Sequence, residues 1–546
     1  MIFCLIGVIF LTERGKFIKG TVILICANAI AKILGAVFKI PLTYILGEEG
    51  MAVYQTAFSV YMMFLSLVTS GFPFAVTKLL AEYNVLGKED RIRPVVKSIG
   101  AVLLLIGLVA SSIMYFFAPQ LAVSMREPGS AGAIRAISFS VALVSVGAVI
   151  KSSNEALSDL LPTAFSQVSE ATVKLFLGLF LAYKLASVSI FKSAEGAVWS
   201  VTIGEAFATT LLVSVWRFRV RKLPSGKSDR KEIKAIFAVA VPLLLTGAVT
   251  GLLGMAEVAV IRHSLSSVRF SPDSARKFLS QYSAYTDVFD NLASSLTLTP
   301  DGIRMLYGAF SGYAQTVFNL PVGIIATVSA AATPMFASAI NVGRDTTKAA
   351  ERVLSLILSL ALPSAAVCFF FPENILNLLF GNRFSADMLR SLAPALIFLS
   401  SSNMLICTLH LAGKIFEPFI ALSAGLIIKI ILSAVLIRIP QLNIIGAGIA
   451  TCISSFVIYF ALARLFKRTF GGFVSFPKLL LVPFAASCVM VGLVSPFNSA
   501  LSVCINEKVA FLASCFLGSV GYILTTVLLR KDNSFTITLG SKKMQS

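Results

Sequence analysis

Charged residues are scarce in this chain of 546 residues: Asp, Glu, Lys and Arg make up 13% of it, whereas hydrophobic residues make up 57%. A soluble protein of this length carries nearly twice that fraction of charge. A chain this apolar must use lipid as its solvent, where helices satisfy their own backbone hydrogen bonds. The composition therefore excludes an ordinary soluble domain and indicates a membrane protein.

Motifs for covalent chemistry and metal binding are also missing. The two histidines, His263 and His410, stand alone, and the eight cysteines form no CxxC pair with metal-ligand spacing. The sequence contains no Walker A motif, no GxSxG and no HExxH. These absences disfavour ATP-driven pumping and membrane hydrolase chemistry by this chain. We therefore predict a protein that is not an enzyme and that has no cofactor and no metal site.

Continuous apolar runs of about 20 or more residues, the length of a membrane-spanning helix, recur along the chain. The alternation of apolar and polar residues that is typical of an outer-membrane barrel is absent. We predict an all-α polytopic membrane protein with about 14 transmembrane helices. The predicted spans are residues 18–46, 53–82, 95–118, 133–157, 163–186, 196–217, 234–261, 305–337, 349–371, 387–410, 415–437, 444–466, 478–497 and 507–529.

The net charge of +20 invites a nucleic-acid interpretation, but the distribution of the charges argues against one. With the N-terminus inside, the cytoplasmic segments hold about 28 Lys and Arg, against about 13 on the other side. The densest cluster runs from Arg217 to Lys234 and can also attract anionic lipid headgroups. This bias predicts a multi-pass protein of the cell membrane with both termini in the cytoplasm.

Landmarks repeat along the chain at an interval of about 255 residues. Pro162 precedes Lys174 much as Pro418 precedes Lys429. The interval relates six spans to six spans, and an even number preserves direction, so we predict two parallel lobes. The other matching pairs are Pro73 with Pro334 and Pro119 with Pro372. The predicted parts are residues 12–220 for the N-terminal lobe, 231–470 for the C-terminal lobe and 471–530 for an extra helix pair.

A few lysines remain inside the predicted spans, where a charge costs at least a few kcal/mol unless it faces a cavity or a partner. Lys32 and Lys39 are seven residues apart and share one face of the first span, with no acid one turn away. This strip fits an anionic substrate. The alternative is that Lys39 extends its ammonium to the membrane surface.

Lys174 has Glu170 four residues before it, in the order that favours an ion pair within a helix. The two form either a closed pair or a pair that opens when substrate or a proton competes. Lys429 has no acid one turn away, so we expect it in a cavity; the alternative is pairing with an acid on another helix. Glu257 could pair with a lysine of the N-terminal lobe or bind a coupling cation.

Lys78 and Glu82 lie at the end of the second span. Extension to the surface and an ion pair one turn apart explain them, with coupling or gating as the alternative. The intramembrane charge is cationic on balance, and no acid cluster like a sodium or proton site lies within one span. A positive cavity selects an anion, and phosphate suits a lysine point charge. The predicted substrate-binding residues are Lys32, Lys39, Lys174, Lys429 and Glu170.

Several short segments resemble bacterial polysaccharide-biosynthesis membrane proteins. They include AKILG at 31–35, KIPL at 39–42, LGEEG at 46–50, GFP at 71–73, KLLAE at 78–82, PTAFSQVSE at 162–170, YAQ at 313–315 and NLP at 319–321. The chain is similar to the stage V sporulation protein B type, within the multidrug/oligosaccharidyl-lipid/polysaccharide flippase superfamily. The resemblance implies a V-shaped, two-lobe fold with a central cavity lined by Lys32 and Lys39. Residues 151–155, KSSNE, depart from the pattern of the group.

The resemblance also implies export of undecaprenyl-pyrophosphate-linked glycans, lipid II above all, for peptidoglycan or polysaccharide synthesis. We therefore predict a flippase that works by alternating access, with membrane lipids, a coupling cation and cell-wall synthesis proteins as further partners. One alternative is a cation-coupled exporter of drugs, which should carry an acidic cavity. Others are a lipid scramblase and a non-transporting scaffold of a wall-synthesis complex, in which the intramembrane lysines can be replaced without loss.

Overall fold

The structure, a computed structural model, describes residues 15–157, 159–220, 230–282, 286–289, 292–341, 345–472 and 476–530. Across these ranges every regular element is a helix, which confirms the all-α prediction. In chain order the helices are α1 (Gly15–Thr69), α2 (Phe72–Val85), α3 (Glu89–Phe116), α4 (Ala118–Ser124), α5 (Ala131–Ala156), α6 (Leu161–Ala186), α7 (Ile190–Val220), α8 (Arg230–Ser266), α9 (Pro272–Gln281), α10 (Thr286–Phe289), α11 (Leu292–Ser295), α12 (Pro300–Gly308), α13 (Gln315–Ala331), α14 (Thr333–Asn341), α15 (Thr346–Phe370), α16 (Pro372–Phe380), α17 (Ala386–Leu392), α18 (Ala395–Leu411), α19 (Phe416–Leu436), α20 (Ile445–Phe470), α21 (Phe476–Cys504) and α22 (Glu507–Arg530).

The helix α1 is far longer than one membrane crossing because it joins two helical segments at Gly47. Gly47 has φ of 59° and ψ of −168°, a combination that is essentially restricted to glycine. An added Cβ at Gly47 would meet nothing within 4 Å. The backbone conformation, rather than crowding, therefore requires glycine at this break.

The predicted count of 14 spans is not confirmed. By length and composition, 11 helices in the described ranges can cross a membrane, or 12 if the bent pair α17 and α18 forms one span. The first two predicted spans fall in one helical stretch, Cys26–Asn84. The helix α6 has 26 residues but is absent from the 11, because its first half holds the polar run SQVSEAT.

Large apolar side chains are exposed along many of these helices, among them Phe116, Phe176, Tyr183 and Phe516. In water such surfaces would aggregate, whereas lipid chains cover them without cost. Together with the number of apolar helices, they make this chain a multi-pass membrane protein.

The described residues of Met1–Thr316 and Phe416–Ser454 form one compact unit. Within it α1 packs against α5, α6, α7 and α8, so α1 is central to the unit. The contact between α1 and α6 depends on Gly178, where an added Cβ would lie 2.6 Å from the ring of Phe38 and 2.5 Å from Ser200 Oγ. This close approach places the Phe38 ring, which is buried, between α6 and α7.

The described residues of Val317–Ile415 and Ser455–Ser546 form a second compact unit. Its core includes Phe371, which lies between α15 and α16, Met490 of α21, and Phe511 and Tyr522 of α22. The hydroxyl of Tyr522 donates a hydrogen bond of 2.8 Å to the carbonyl oxygen of Ser359. The predicted lobes, residues 12–220 and 231–470, stay a prediction, because these units are grouped by contact and not by internal symmetry.

Candidate functional site

Two of the predicted lysines, Lys39 of α1 and Lys174 of α6, lie near each other, because the ammonium group of Lys174 approaches the ring of Phe38, the residue before Lys39. We call them the lysine pair. The Nζ atom of Lys174 lies 5.6 Å from the ring centre of Phe38 and 5.5 Å from that of Phe58. Both rings belong to α1, and their negative faces stabilise the ammonium group. Among the described residues neither lysine has a carboxylate within ion-pair distance, so the closed Glu170–Lys174 pair weighed from the sequence is not formed.

Glu170 of α6 instead lies against α7 near Glu205, a residue that sequence reasoning missed: an added Cβ at the neighbouring Gly204 would lie 3.8 Å from Glu170 Cγ. We call these two the carboxyl pair. Glu205 is only 4% exposed. Its neighbour Gly204 allows the approach of the two helices, because a Cβ there would lie 3.1 Å from the carbonyl oxygen of Glu170. A single acid inside the apolar span 196–217 was the signal that could have revealed Glu205.

Further polar groups surround the carboxyl pair. Tyr61 of α1 is buried and faces both carboxyls. Lys151 of α5 and Lys174 of α6 also face Glu205. The cluster therefore combines three lysines, counting Lys39, with two carboxyls, and all its members come from α1, α5, α6 and α7.

Lys32 lies two turns before Lys39 on α1, and its side chain is exposed. Gly35 lies between the two lysines, and an added Cβ there would meet nothing within 4 Å. This open position agrees with the strip expected on α1. The role of Lys32 in substrate binding stays a prediction.

Lys429 of α19 forms an ion pair with Glu257 of α8, at 2.8 Å between Nζ and Oε1. The two side chains are 14% and 12% exposed. Lys429 therefore pairs with an acid on another helix, which was the alternative to an unpaired position in a cavity. The partner of Glu257 is this lysine and not one from residues 12–220. Whether either residue meets substrate or a coupling ion stays a prediction.

Lys78 and Glu82 both lie on α2 with exposed side chains. Over the ranges that the structure describes, neither forms an ion pair, so the pair expected one turn apart is not made. Exposure agrees with the explanation that both side chains reach the membrane surface. Their role in coupling or gating stays a prediction.

A second buried charge cluster was not expected from the sequence. Glu127, 1% exposed, accepts hydrogen bonds from Arg262 and, at 3.0 Å, from Nε of Arg304. Arg262 is also 1% exposed; it donates to Thr56 Oγ1 at 2.9 Å and lies 4.9 Å from the ring centre of Tyr307. These groups join α1, α8 and α12 to the segment before α5. Glu127 and Arg262 are separated by 135 residues, so no local pattern could pair them.

The chemistry of the first cluster favours anion binding. Three lysines against two carboxyls leave the cluster positively charged, and most of its members lie in helices that can cross the membrane. Ammonium groups bind phosphate as point charges. Across the described part of the chain, no three His, Cys, Asp or Glu side chains gather as metal ligands.

Two family models match the chain. The model described as "Polysaccharide biosynthesis protein" matches residues 17–340, and that described as "Lipid II flippase MurJ" matches residues 280–532. The chain is 24% identical over 453 residues to stage V sporulation protein B of Bacillus subtilis (strain 168), which covers 80% of this chain and 81% of that protein.

Solved structures share the fold. The lipid II flippase MurJ in an inward closed conformation matches with a TM-score of 0.64 at 15% identity, over 93% of this chain and 98% of that one. An inward-facing multidrug resistance MATE family transporter matches with a TM-score of 0.61 at 13% identity, over 82% of this chain and 98% of that one. The resemblance drawn from the motifs of α1, α2 and α6 is thus confirmed. The first family model covers more than half of the chain's length. The chain therefore belongs to the polysaccharide biosynthesis protein family.

Proposed function

We propose that this protein is a flippase. It moves an undecaprenyl-pyrophosphate-linked glycan precursor, lipid II or a related molecule, across the bacterial cell membrane by alternating access. The precursor serves peptidoglycan or polysaccharide synthesis. Support comes from the family, from the match of residues 280–532 to the lipid II flippase model and from the likeness to a sporulation protein.

The lysine pair is the observation that carries this proposal. Two lysines lie near each other within a membrane protein, and among the described residues neither has a carboxylate within ion-pair distance. Such an arrangement is costly unless an anion joins it. A pyrophosphate carries enough negative charge to bridge Lys39 and Lys174. Binding and release then suffice for transport, and no covalent step is needed.

The other predicted residues extend the site. Lys32 precedes the lysine pair on α1 and is exposed, so it can meet the headgroup first. Lys429 must leave Glu257 before it can bind an anion, which makes that ion pair a competitor of the substrate. The polyprenyl tail stays in lipid, against the exposed apolar faces of the helices. The extra basic residues orient the chain, with both termini in the cytoplasm.

The membrane potential assists this direction of transport. It is negative inside, so it favours outward movement of an anion by about 2.3 kcal/mol per elementary charge and 100 mV. A substrate whose charge is only partly neutralised by the lysines therefore moves outward downhill. The membrane potential also favours the return of the empty, positively charged site toward the cytoplasm.

The proposal is tested in cells depleted of their own lipid II flippase, by measuring the lipid II that is exposed on the outer leaflet. Expression of the chain should restore exposure. Lys39→Ala and Lys174→Ala should each lower it at least about tenfold, because each removes a charge from the site. Lys184→Ala is the matched control: Lys184 lies on the same helix as Lys174, but its ammonium lies near the ring of Phe180. Equal membrane abundance of all variants is checked by immunoblot.

Two outcomes contradict the proposal. Full restoration by both lysine variants would overturn the assignment of the lysine pair as the anion site, while the flippase itself would stand. Absence of restoration by the normal chain, at normal abundance, would exclude lipid II as the precursor. Exposure of a different lipid-linked glycan would then be measured in the same cells.

A cation-coupled exporter is the second candidate, and the carboxyl pair favours it. Such an exporter uses acidic groups to bind its ion or a cationic drug, and the fold is shared with a multidrug resistance transporter. The lysines around Glu205 argue against a cationic substrate at this cluster. Drug resistance conferred by the chain, without any effect on lipid II exposure, would decide for the exporter.

A further inference from the structure

The buried ion cluster of Glu127, Arg262 and Arg304 connects helices that alternating access has to move apart. Glu127 and Arg262 are each 1% exposed and form an ion pair. Nε of Arg304 lies 3.0 and 3.2 Å from the two carboxylate oxygens of Glu127. In the described part of the chain, no carboxylate other than that of Glu127 lies within ion-pair distance of Arg262. Both arginines thus converge on a single carboxyl group.

The bonds of the ion cluster join two separate parts of the chain. Glu127 lies between α4 and α5, whereas Arg262 is near the end of α8 and Arg304 is in α12. Arg262 also donates to Thr56 Oγ1 of α1 at 2.9 Å. The guanidinium carbon of Arg304 lies 5.3 Å from the ring centre of Phe191 in α7. Each of these contacts therefore links a residue of the predicted N-terminal lobe to one of the predicted C-terminal lobe.

The ion cluster lies where membrane-spanning helices end. Arg262 is close to the end of its span, Arg304 is close to the start of its span, and Glu127 directly precedes the span of α5. Because the three side chains also contact each other, they lie at one face of the membrane. In the orientation that the charge bias predicts, this is the outer face.

Close backbone contacts at the same face depend on two glycines. An added Cβ at Gly308 of α12 would collide with the carbonyl oxygen of Glu48 in α1. An added Cβ at Gly312 would lie 2.7 Å from Cβ of Met51, also in α1. Without side chains at these two positions, the two parts of the chain approach each other directly beside the ion cluster. The face is therefore closed by packing as well as by charge.

The helix that carries Arg304 changes its form beside the ion cluster. After α12 the chain forms a π-helical turn at Ala309–Ala314. Such turns are frequent at functional sites and are places where helices bend. Nε2 of Gln55 in α1 donates a hydrogen bond of 3.1 Å to the carbonyl oxygen of Ser311 in this turn. The turn gives α12 a place to bend when its contacts with α1 and Glu127 are released.

Ionic groups suit a contact that has to open. As a permanent connection a buried ion pair offers little, because well-packed apolar residues of the same volume are often at least as stable. When a contact opens into water, charged groups become hydrated, whereas apolar groups in the same place would be exposed to water at a cost. A charged contact can therefore hold a face closed and still open without exposing apolar surface.

We propose that the ion cluster is a latch that closes this face of the transport pathway and opens once in each transport cycle. The proposal rests on the proposed function, because alternating access requires the two predicted lobes to separate at this face. In the closed state Glu127 holds both arginines. In the open state the three charged groups are hydrated. Opening depends above all on Glu127, since both arginines converge on it.

The latch is tested by hydrogen–deuterium exchange of the purified protein in lipid nanodiscs, measured by mass spectrometry. In Glu127→Gln the backbone amides of residues 48–56, 125–130 and 300–308 should exchange at least about tenfold faster, because removing one partner of a buried ion pair shifts the equilibrium by more than that factor. The amides of α6, which lies outside the ion cluster, should keep their exchange rates. A general loss of stability would instead raise exchange in α6 as well.

Two further variants make this test specific. Asp301→Asn is the matched control: Asp301 binds Arg304 at 2.7 Å, but it is 66% exposed and lies on the same helix, so its loss cuts no bond between the two parts of the chain. It should leave exchange unchanged. Arg304→Gln keeps the pair of Glu127 and Arg262 and should give a smaller rise in the same three segments. This variant serves if Glu127→Gln does not fold.

The role of the latch in the cycle is tested by transport of labelled lipid II in liposomes that contain the same variants. Glu127→Gln should slow transport at least about tenfold, because most molecules then remain with this face open. Asp301→Asn should transport at the normal rate. Equal amounts of reconstituted protein are verified by gel electrophoresis.

Each outcome supports or overturns a stated part of the proposal. Unchanged exchange in the three segments, or faster exchange that includes α6, would overturn the latch. An equal rise in Asp301→Asn would also overturn it, because exposed contacts would then hold the face closed. Normal transport by a Glu127→Gln protein whose face is open would overturn the role of the latch in the cycle. An opened face in Glu127→Gln, without lipid II transport by the normal chain, would leave the latch and overturn the proposed function.

Discussion

At the scale of single residues, the sequence identified cations inside apolar spans but not what surrounds them. Lys174 had Glu170 as an obvious partner one turn away, yet its ammonium lies near the rings of Phe38 and Phe58 instead. A side chain on a buried helix has several neighbours at similar distances, and the packing of that helix against another determines which of them it contacts. Sequence spacing therefore predicts which residues can meet within a helix, but not which of them do.

The position of Phe38 depends on one glycine, and Gly178→Ala tests this. The new methyl group would lie 2.6 Å from the Phe38 ring, so ring or helix must move. Overpacking of this kind costs about 1–3 kcal/mol, and we expect a lower apparent melting temperature of the purified protein. We also expect weaker binding of undecaprenyl pyrophosphate, because Phe38 helps to hold Lys174 beside Lys39.

Gly35→Ala is the matched control on α1. An added Cβ at Gly35 meets nothing within 4 Å, and alanine favours a helix over glycine by about 1 kcal/mol. The melting temperature of this variant should be unchanged or higher. An unchanged melting temperature and unchanged binding for Gly178→Ala would contradict the packing described here.

At the scale of helices, the boundaries of most spans agree with the apolar runs, while the joints between them were harder to predict. The first two predicted spans end at 46 and begin at 53, whereas the two helical segments of α1 follow each other directly at the non-helical Gly47. Glu205 was overlooked because reasoning within one span finds no acid cluster. The cluster exists only once α6 and α7 are packed together. Composition and hydrophobic periodicity do not tell which helices contact each other.

The ion pair of Glu257 and Lys429 should hold α8 to α19. Both side chains are largely buried, so removing one partner leaves an uncompensated charge. We expect Glu257→Gln and Lys429→Met each to destabilise the protein by on the order of 2–3 kcal/mol. The double variant should lose less than the sum of the two, as measured by melting temperature in detergent.

A charge swap separates stability from transport at this pair. The protein with both Glu257→Lys and Lys429→Glu should recover most of the stability, because the ion pair can form in reverse. If Lys429 also contacts the headgroup, the swapped protein still fails to expose lipid II. Strict additivity of the two single variants would show that the ion pair does not connect the helices.

The buried cluster around Glu127 should be the stronger of the two connections. Glu127→Gln would leave Arg262 buried without its carboxylate, at a cost of about 3–5 kcal/mol. The melting temperature should fall clearly. Asp301→Asn provides the comparison, because Asp301 also binds Arg304, at 2.7 Å, but is 66% exposed. Its removal should change stability by less than about 1 kcal/mol, and equal losses in both variants would refute this ranking.

At the scale of the whole molecule, composition indicated the lipid solvent and the helical fold class, whereas the family resemblance came from short motifs such as those at 31–42 and 162–170. Because charged residues are scarce, the chain must be surrounded by lipid, and in lipid it forms helices that satisfy their own backbone hydrogen bonds. The number of spans was less accessible, because length and hydropathy do not tell where one helix bends and another begins. The two-lobe repeat stays a prediction from landmark spacing.

In the proposed function the lysine pair carries the anionic headgroup of a lipid-linked glycan across the membrane. The most direct test is transport of labelled lipid II in liposomes that contain only the purified chain, measured by a quencher added outside. With the normal protein, lipid II initially shielded on the inside should become accessible to the quencher, much faster than in protein-free liposomes. Liposomes with the double variant Lys39→Ala and Lys174→Ala should behave like protein-free ones. Equal accessibility with the normal protein and the double variant would contradict the account.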